Sequence, residues 1–167
     1  MNEIELAARV EELLQQMTLE EKIHLCHGCS GMEAGDIPRL GIPRAAMADG
    51  PQGVRLEDGR TATALPSGIA LACSWSEETA HAYGALLGRE VLGSGSHVSL
   101  GPGMNMMRTP LNGRNFEYFG EDPVLAGKIA AAYINGCQEA GAAATPKHLA
   151  LNNQEICRTT GSSNIEE

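Results

Sequence analysis

Apolar positions recur along the chain in a way that marks out its elements. Leu6, Val10, Leu13, Leu14 and Met17 fall on one face of a 3.6-residue period, which predicts a first helix. Thr18-Leu-Glu-Glu21 has the spacing of a capping box and predicts a second helix running into Gly28. These N-terminal helices together span about residues 3–27. From Gly28 to Gly68 the chain reads as Gly/Pro-punctuated loop with one apolar run, Ala45-Ala46-Met47-Ala48, a buried strand ending at Asp49-Gly50-Pro51. A helix is predicted from Ser76, with Glu77 and Glu78 in its first turn, where the helix dipole favours acids. Its stripe is Ala80, Tyr83, Leu87 and Val91, and Gly84 and Gly88 would let it lie close against a sheet. His97-Val98-Ser99-Leu100 is a second short strand, stopped by Gly101-Pro102-Gly103 and followed by a long loop that holds to Asp122. Asp122-Pro123 is an N-cap followed by proline at the first helical position. Leu125, Ile129, Ala132, Tyr133 and Cys137 line that helix, and Gly141 ends it. Ala142-Ala143-Ala144-Thr145 is a third strand, and the remainder is polar loop.

Strands that alternate with helices imply a parallel sheet with right-handed crossovers. The fold class is therefore α/β: a partial (β/α)8, TIM-like barrel of about three strands with flanking helices, incomplete, because closing such a barrel takes roughly 200 residues or more. Residues 1–167 read as one N-terminal portion of a larger barrel domain. Short, fully apolar strands suit parallel strands buried on both faces. Asp49, Asn105, Lys147 and His148 follow the three strands, and α/β proteins place their sites at the carboxyl ends of strands.

Charge narrows the function. Twelve Lys and Arg against 21 Asp and Glu give a net charge of −9. This excludes a phosphate-coating basic surface and adhesion to an anionic membrane, so neither nucleic acid nor membrane is an expected partner. No apolar stretch is long enough to span a bilayer, and the acidic N-terminus lacks the basic start of a secretory signal. Five cysteines, an odd count, then read as reduced thiols in a cytoplasmic protein.

Three clusters carry chemistry. In Asp49-Gly-Pro-Gln-Gly-Val-Arg55 an acceptor-only carboxylate and a donor-only guanidinium would suit a polyhydroxylated ligand, since each hydroxyl both donates and accepts. The same seven residues also read as a surface turn with a solvated arginine, and Glu57 just beyond reads as an exposed loop charge. Gly113-Arg-Asn-Phe-Glu-Tyr-Phe-Gly-Glu-Asp-Pro123 gathers three of the six aromatics around Arg114. Aromatic faces beside ionic hydrogen-bonders are what a sugar site uses, while Glu117, Glu121 and Asp122 are expected to hold the loop together. Lys147-His148 with Arg158 is the third cluster. Neighbours on a strand point to opposite faces, so both can reach one pocket only where the chain bends, as Pro146 permits. Cys26-His-Gly-Cys29 has redox spacing but ends a helix and enters loop, whereas a thioredoxin-like motif follows a strand and opens a helix. It lacks the second Cys/His pair of a zinc site, so no metal and no cofactor is expected.

Taken in order, these motifs resemble the N-terminal domain of glycoside hydrolase family 3, the β-glucosidase-type enzymes. The resemblance runs from Met17-Thr-Leu-Glu-Glu-Lys-Ile23 through Asp49-Gly-Pro, Leu65-Pro66, Leu100-Gly-Pro-Gly-Met-Asn105, Arg108-Thr-Pro110 and the GRNFEYFGEDP run to Lys147-His148, Asn153-Gln-Glu155 and Arg158. It implies a (β/α)8-like barrel that binds the non-reducing terminal sugar of a β-glycoside or oligosaccharide and cleaves it with retention. It further implies that Asp49, Arg55, Arg114, Lys147, His148 and Arg158 contact that sugar's hydroxyls. The continuation Leu149-Ala-Leu-Asn-Asn-Gln-Glu155 resembles the β-glucosidase branch rather than the N-acetylglucosaminidase branch. The family's nucleophile is an Asp in a Ser-Asp-Trp-like motif well downstream, and its acid/base usually comes from a following domain. The one tryptophan here, in Cys73-Ser-Trp-Ser76, does not match, so no catalytic residue is assigned. The expected function is the N-terminal part of a retaining exo-acting β-glucosidase, completed by a C-terminal remainder or by self-association. The alternative is a non-catalytic, sugar-binding or self-associating barrel fragment.

Overall fold

The computed structural model describes residues 2–56 and 58–164; Glu57 lies outside the described residues. Contacts divide the chain into two units, Met1–Met47 and Ala48–Glu167.

In the first unit, α1 (Glu3–Gln16) and α2 (Leu19–Leu25) each open on a capping box. The Asn2 side chain accepts from the Glu5 N–H at 2.9 Å while the Glu5 carboxylate accepts from the Asn2 N–H, and Thr18 and Glu21 do the same. Arg39 then pairs with the Glu21 carboxylate and donates to the Gln16 carbonyl at 2.7 Å. The apolar stripe of α1 is buried only beyond its end, at Met17; Leu6, Val10 and Leu14 are exposed. The stretch read as loop from Gly28 holds two short strands, β1 (Gly28–Ser30) and β2 (Glu33–Ala34), and a 3-10 turn at Pro38–Leu40. β1 pairs antiparallel with β2, and β2 antiparallel with β3 (Ala45–Ala48). Strands this short show no apolar alternation, so periodicity could not reveal them.

The second unit runs through α3 (Gly68–Ala72), α4 (Glu77–Gly93), β4 (Val98–Ser99), α5 (Pro123–Glu139) and β5 (Ala143–Ala144). Side chains of Ser67, Ser76 and Asp122 cap the three helices by accepting from backbone N–H groups three residues on. At five residues, α3 is too short for a helical period to declare itself. β4 and β5 are parallel, in the register Val98 to Ala143 and Ser99 to Ala144, and the pairing resumes as a parallel bridge between Gly103 and Lys147. The Leu100 N–H donates to the Ala48 carbonyl at 2.9 Å, which ties the end of β3 to the end of β4. The succession is strand, helices, strand, helix, strand, with the parallel pairing of a (β/α)8-type arrangement left open. β3 spans the apolar run Ala45–Ala48 as expected, whereas β4 and β5 are shorter than their runs, and β5 is only half-covered.

The core of this unit lies where α4 and α5 cross. Ala80, Leu87 and Val91 of α4 meet Ile129, Tyr133 and Cys137 of α5, with Phe119 in the same cluster. The glycines expected to bring α4 against a sheet instead bring it against a helix. A Cβ on Gly84 would lie 2.0 Å from the Tyr133 carbonyl oxygen, and one on Gly136 would lie 2.0 Å from that of His81. Backbones this close admit no side chain between them.

Candidate functional site

A cleft of about 690 Å³ opens in the second unit where β3 and β5 end. Asp49, Arg55, Arg114, Lys147, His148 and Arg158 all line it, so the three clusters, up to 109 positions apart in sequence (Asp49 to Arg158), meet in one place.

The first cluster is placed by a tight turn. Gly50 has φ of +112°, and a Cβ there would lie 1.9 Å from the Gly53 carbonyl oxygen, so only glycine fits. The Arg55 N–H donates to the Asp49 carbonyl at 2.8 Å, which returns the exposed Arg55 side chain to the cleft beside Asp49. Lys147 is placed by ladder bonds beyond the strands: its N–H donates to the Pro102 carbonyl at 2.9 Å and its carbonyl accepts from the Met104 N–H at 2.8 Å. The peptide between Lys147 and His148 is cis, and both side chains line the cleft. Arg114 leads into a 3-10 turn (Asn115–Glu117) whose loop is organised by amides. The Asn115 side chain donates to the Thr109 carbonyl at 2.7 Å, and the buried Asn112 side chain donates to that of Asn115 at 3.1 Å.

The polar groups form one connected chain. The Lys147 ammonium donates to Asp49 Oδ1 at 2.9 Å and lies 3.7 Å from Glu117 Oε2. Glu117 Oε1 accepts from Arg114 Nε at 2.5 Å, and Arg114 Nη2 lies 2.8 Å from His148 Nε2. Burial raises the Asp49 carboxyl, but the hydrogen bond and charge of Lys147 outweigh it and hold the group below the usual carboxylate range. Burial, then the charges of Arg114 and Lys147, push His148 below the ordinary imidazole value. The tautomer of His148 follows from its partners. Asn105 Oδ1 lies 3.1 Å from Nδ1 and can only accept, so Nδ1 carries the proton and Nε2 accepts from Arg114. Asn105 also accepts from the His148 backbone N–H at 2.7 Å, and the Tyr118 hydroxyl lies 3.2 Å from Nδ1. Arg158 stands at the rim, exposed, 3.4 Å from Glu155.

Several expectations change. Glu117, read as a group that merely braces its loop, is 4% exposed and sits between Arg114 and Lys147 on the cleft wall. The three aromatics of its run do not act together: Phe116 lines the cleft, the Tyr118 ring is buried with its hydroxyl on His148, and Phe119 belongs to the core. Asn105, flagged by its place after the second strand, supports the site by accepting from the His148 N–H, while Asn152, which donates to the Tyr118 hydroxyl, carried no such signal. Cys26 ends α2 and Cys29 lies in β1, both exposed and unpaired with each other. Among the described residues no group of three or more His, Cys, Asp or Glu is arranged to hold a metal ion. No described helix is long and apolar enough to cross a membrane.

A polar cleft at the strand ends of an open α/β fold, with helices between strands and β4 parallel to β5, defines the class: a barrel-type α/β protein. Comparison with known proteins narrows this. Residues 25–154 match the glycosyl hydrolase family 3 N-terminal domain, and the chain belongs to that family. It is 42% identical to thermostable β-glucosidase B of Acetivibrio thermocellus over 97% of its own length and 23% of that enzyme's. It is 45% identical to β-glucosidase B of Emericella nidulans over 96% of its length and 19% of the relative's. Among solved structures it superposes on β-glucosidase 3B from Thermotoga neapolitana in complex with glucose, with TM-score 0.81 and 41% identity over 88% of this chain and 24% of that one. DesR, a β-glucosidase from Streptomyces venezuelae in complex with D-glucose, gives TM-score 0.85 and 45% identity over 90% and 20%. The chain thus spans a quarter or less of the length of these relatives.

Proposed function

We propose that the cleft holds the non-reducing terminal β-glucosyl residue of a glycoside or oligosaccharide, and that this chain is the leading part of a retaining exo-β-glucosidase. The observation that carries this is the convergence of Asp49, Arg55, Arg114, Lys147, His148 and Arg158 on one cleft. Asp49 supplies an acceptor, Lys147 and the arginines supply donors, and two of the structurally similar β-glucosidases were solved with glucose. Retaining hydrolysis needs two carboxyl groups about 5 Å apart, one free to attack and one free to donate a proton. Asp49 is tied to Lys147, and Glu117 to Arg114 and Lys147, so the described cleft binds and orients a sugar without supplying that pair. In the longer enzyme these residues hold the sugar ring while carboxyls from elsewhere act on its anomeric carbon. Cys26, Cys29, Cys73 and Cys157 are exposed and form no disulfide among the described residues, which supports a reducing, cytoplasmic setting.

Glucose added to the isotopically labelled chain is expected to shift the backbone signals of Asp49, Arg114, Lys147 and His148 at concentrations on the order of 10 mM, as suits a weak monosaccharide complex. Shifts scattered over the surface, with none in the cleft, would overturn the assignment. The same chain is expected to show no turnover of a nitrophenyl β-glucoside above background, and measurable turnover free of host enzyme would refute the view that the carboxyl pair lies elsewhere.

A further inference from the structure

Glu117, on the cleft wall, is the one buried charged side chain among the described residues, and nothing in the proposed sugar contacts uses it. Both its oxygens face cations. Oε1 accepts from Arg114 Nε at 2.5 Å, and Oε2 lies 3.7 Å from Lys147 Nζ. A carboxylate taken out of water is tolerated only when such partners replace the lost hydration. The pairing also constrains the partners. Arg114 spends Nε–H on Glu117 and directs Nη2 to His148, while Glu155 Oε1 stands 3.8 Å from Nη1, so the guanidinium plane is set from three sides. Lys147 stands between Glu117 and Asp49, which fixes its ammonium along that line.

We propose that Glu117 is a positioning residue: its buried carboxylate, held between Arg114 and Lys147, sets where those two cations present their remaining N–H groups to the hydroxyls of the bound sugar. The proposal rests on the cleft being a sugar site and adds to it a residue that does not touch the sugar. Without the carboxylate, Arg114 and Lys147 are neighbouring like charges with no anion between them, and the cleft loses its preset donor geometry.

The test compares the wild-type chain with Glu117→Gln, Glu117→Asp and, as a control, Glu121→Gln, an exposed carboxylate of the same run. Three quantities are read by NMR: glucose affinity, solvent-exchange protection of the Arg114 Nε–H, and the titration of the His148 ring. Glu117→Gln keeps the shape and removes the charge. It is expected to weaken glucose at least about tenfold, the scale of a lost charge-assisted hydrogen bond. It should also strip protection from the Arg114 Nε–H and move the His148 titration further down, because the Glu117 charge opposes the burial and cations that depress it. Glu121→Gln should change none of the three. Glucose affinity within twofold of wild type together with an undisturbed Arg114 signal would overturn the proposal. If Glu117→Gln fails to fold, Glu117→Asp retains the charge but draws it back by a methylene, and must show the same loss of Arg114 protection for the proposal to stand. Absence of glucose binding by the wild-type chain sinks the sugar reading, while the Arg114 and His148 signals still decide whether Glu117 sets the two cations.

Discussion

At the scale of single residues, the cleft is a set of charges each holding the next in place. Asp49 stays ionised through Lys147, and its loss leaves the ammonium without its nearest anion. Asp49→Ala is therefore expected to weaken glucose about tenfold or more, whereas Glu78→Ala on the exposed face of α4 should change affinity less than twofold. Equal losses in the two titrations would contradict the role given to Asp49. His148 adds a pH dependence whose sign follows from its partners. Its value in the folded chain lies below the ordinary 6.5, so the neutral ring is the favoured form. The stability this contributes is fully present above about 6.5 and is lost as pH falls through the lower folded value. Protonating Nε2 also sets a cation against the Arg114 guanidinium at 2.8 Å. Glucose affinity and melting temperature should both fall as pH drops below about 6.5. His148→Gln, which cannot titrate, should flatten that part of the profile. Asp49 acts in the same direction at lower pH, because its depressed value adds stability above about 3.8 that is lost as pH falls through the folded value.

At the scale of elements, caps and close helix contacts carry the order. The three helices of the second unit start where a Ser or Asp side chain accepts from the third N–H, and two of those starts, at Ser76 and Asp122-Pro123, were visible in the sequence, while Ser67 was not. The crossing of α4 and α5 depends on Gly84 and Gly136. Gly84→Ala would drive a methyl into the Tyr133 carbonyl and should cost about 1–3 kcal/mol or more, read as a lower denaturant midpoint. Gly127 on α5 has open space around its Cβ position and is an internal contrast: Gly127→Ala should stabilise by about 0.4–1 kcal/mol. If both substitutions shifted the midpoint alike, helix propensity rather than close packing would govern this pair.

At the scale of the molecule, the parallel pairing begun by β4 and β5 leaves β5 with a ladder partner on one side only among the described residues. Trp75 and Val124 stand 78% and 67% exposed beside the helix starts of the same unit. Free strand edges and exposed apolar side chains recruit other chains, and a net charge of −9 opposes but does not cover them. The isolated chain is therefore expected to sediment as an oligomer at micromolar concentration, or to melt broadly. A compact monomer melting sharply above about 60 °C, the top of the usual mesophile range, would show that this stretch is an autonomous domain.

The sequence alone determined what is local. The capping box at Thr18, the N-cap at Asp122, and the periods of α4 and α5 depend on residues three or four positions apart, so pattern and propensity suffice to read them. Its motifs also named the six cleft residues, though not what joins them. Tertiary structure decided the rest. Strands of two or three residues exist only through their ladder partners, so β1 and β2 left no period to detect. Gly84 and Gly136 mark a close approach, but only the packed helices show what approaches. The role of Glu117 depends on Arg114 three residues away and on Lys147 thirty residues away. A carboxylate in a polar run reads as solvated until burial removes the water and leaves those two cations as its partners.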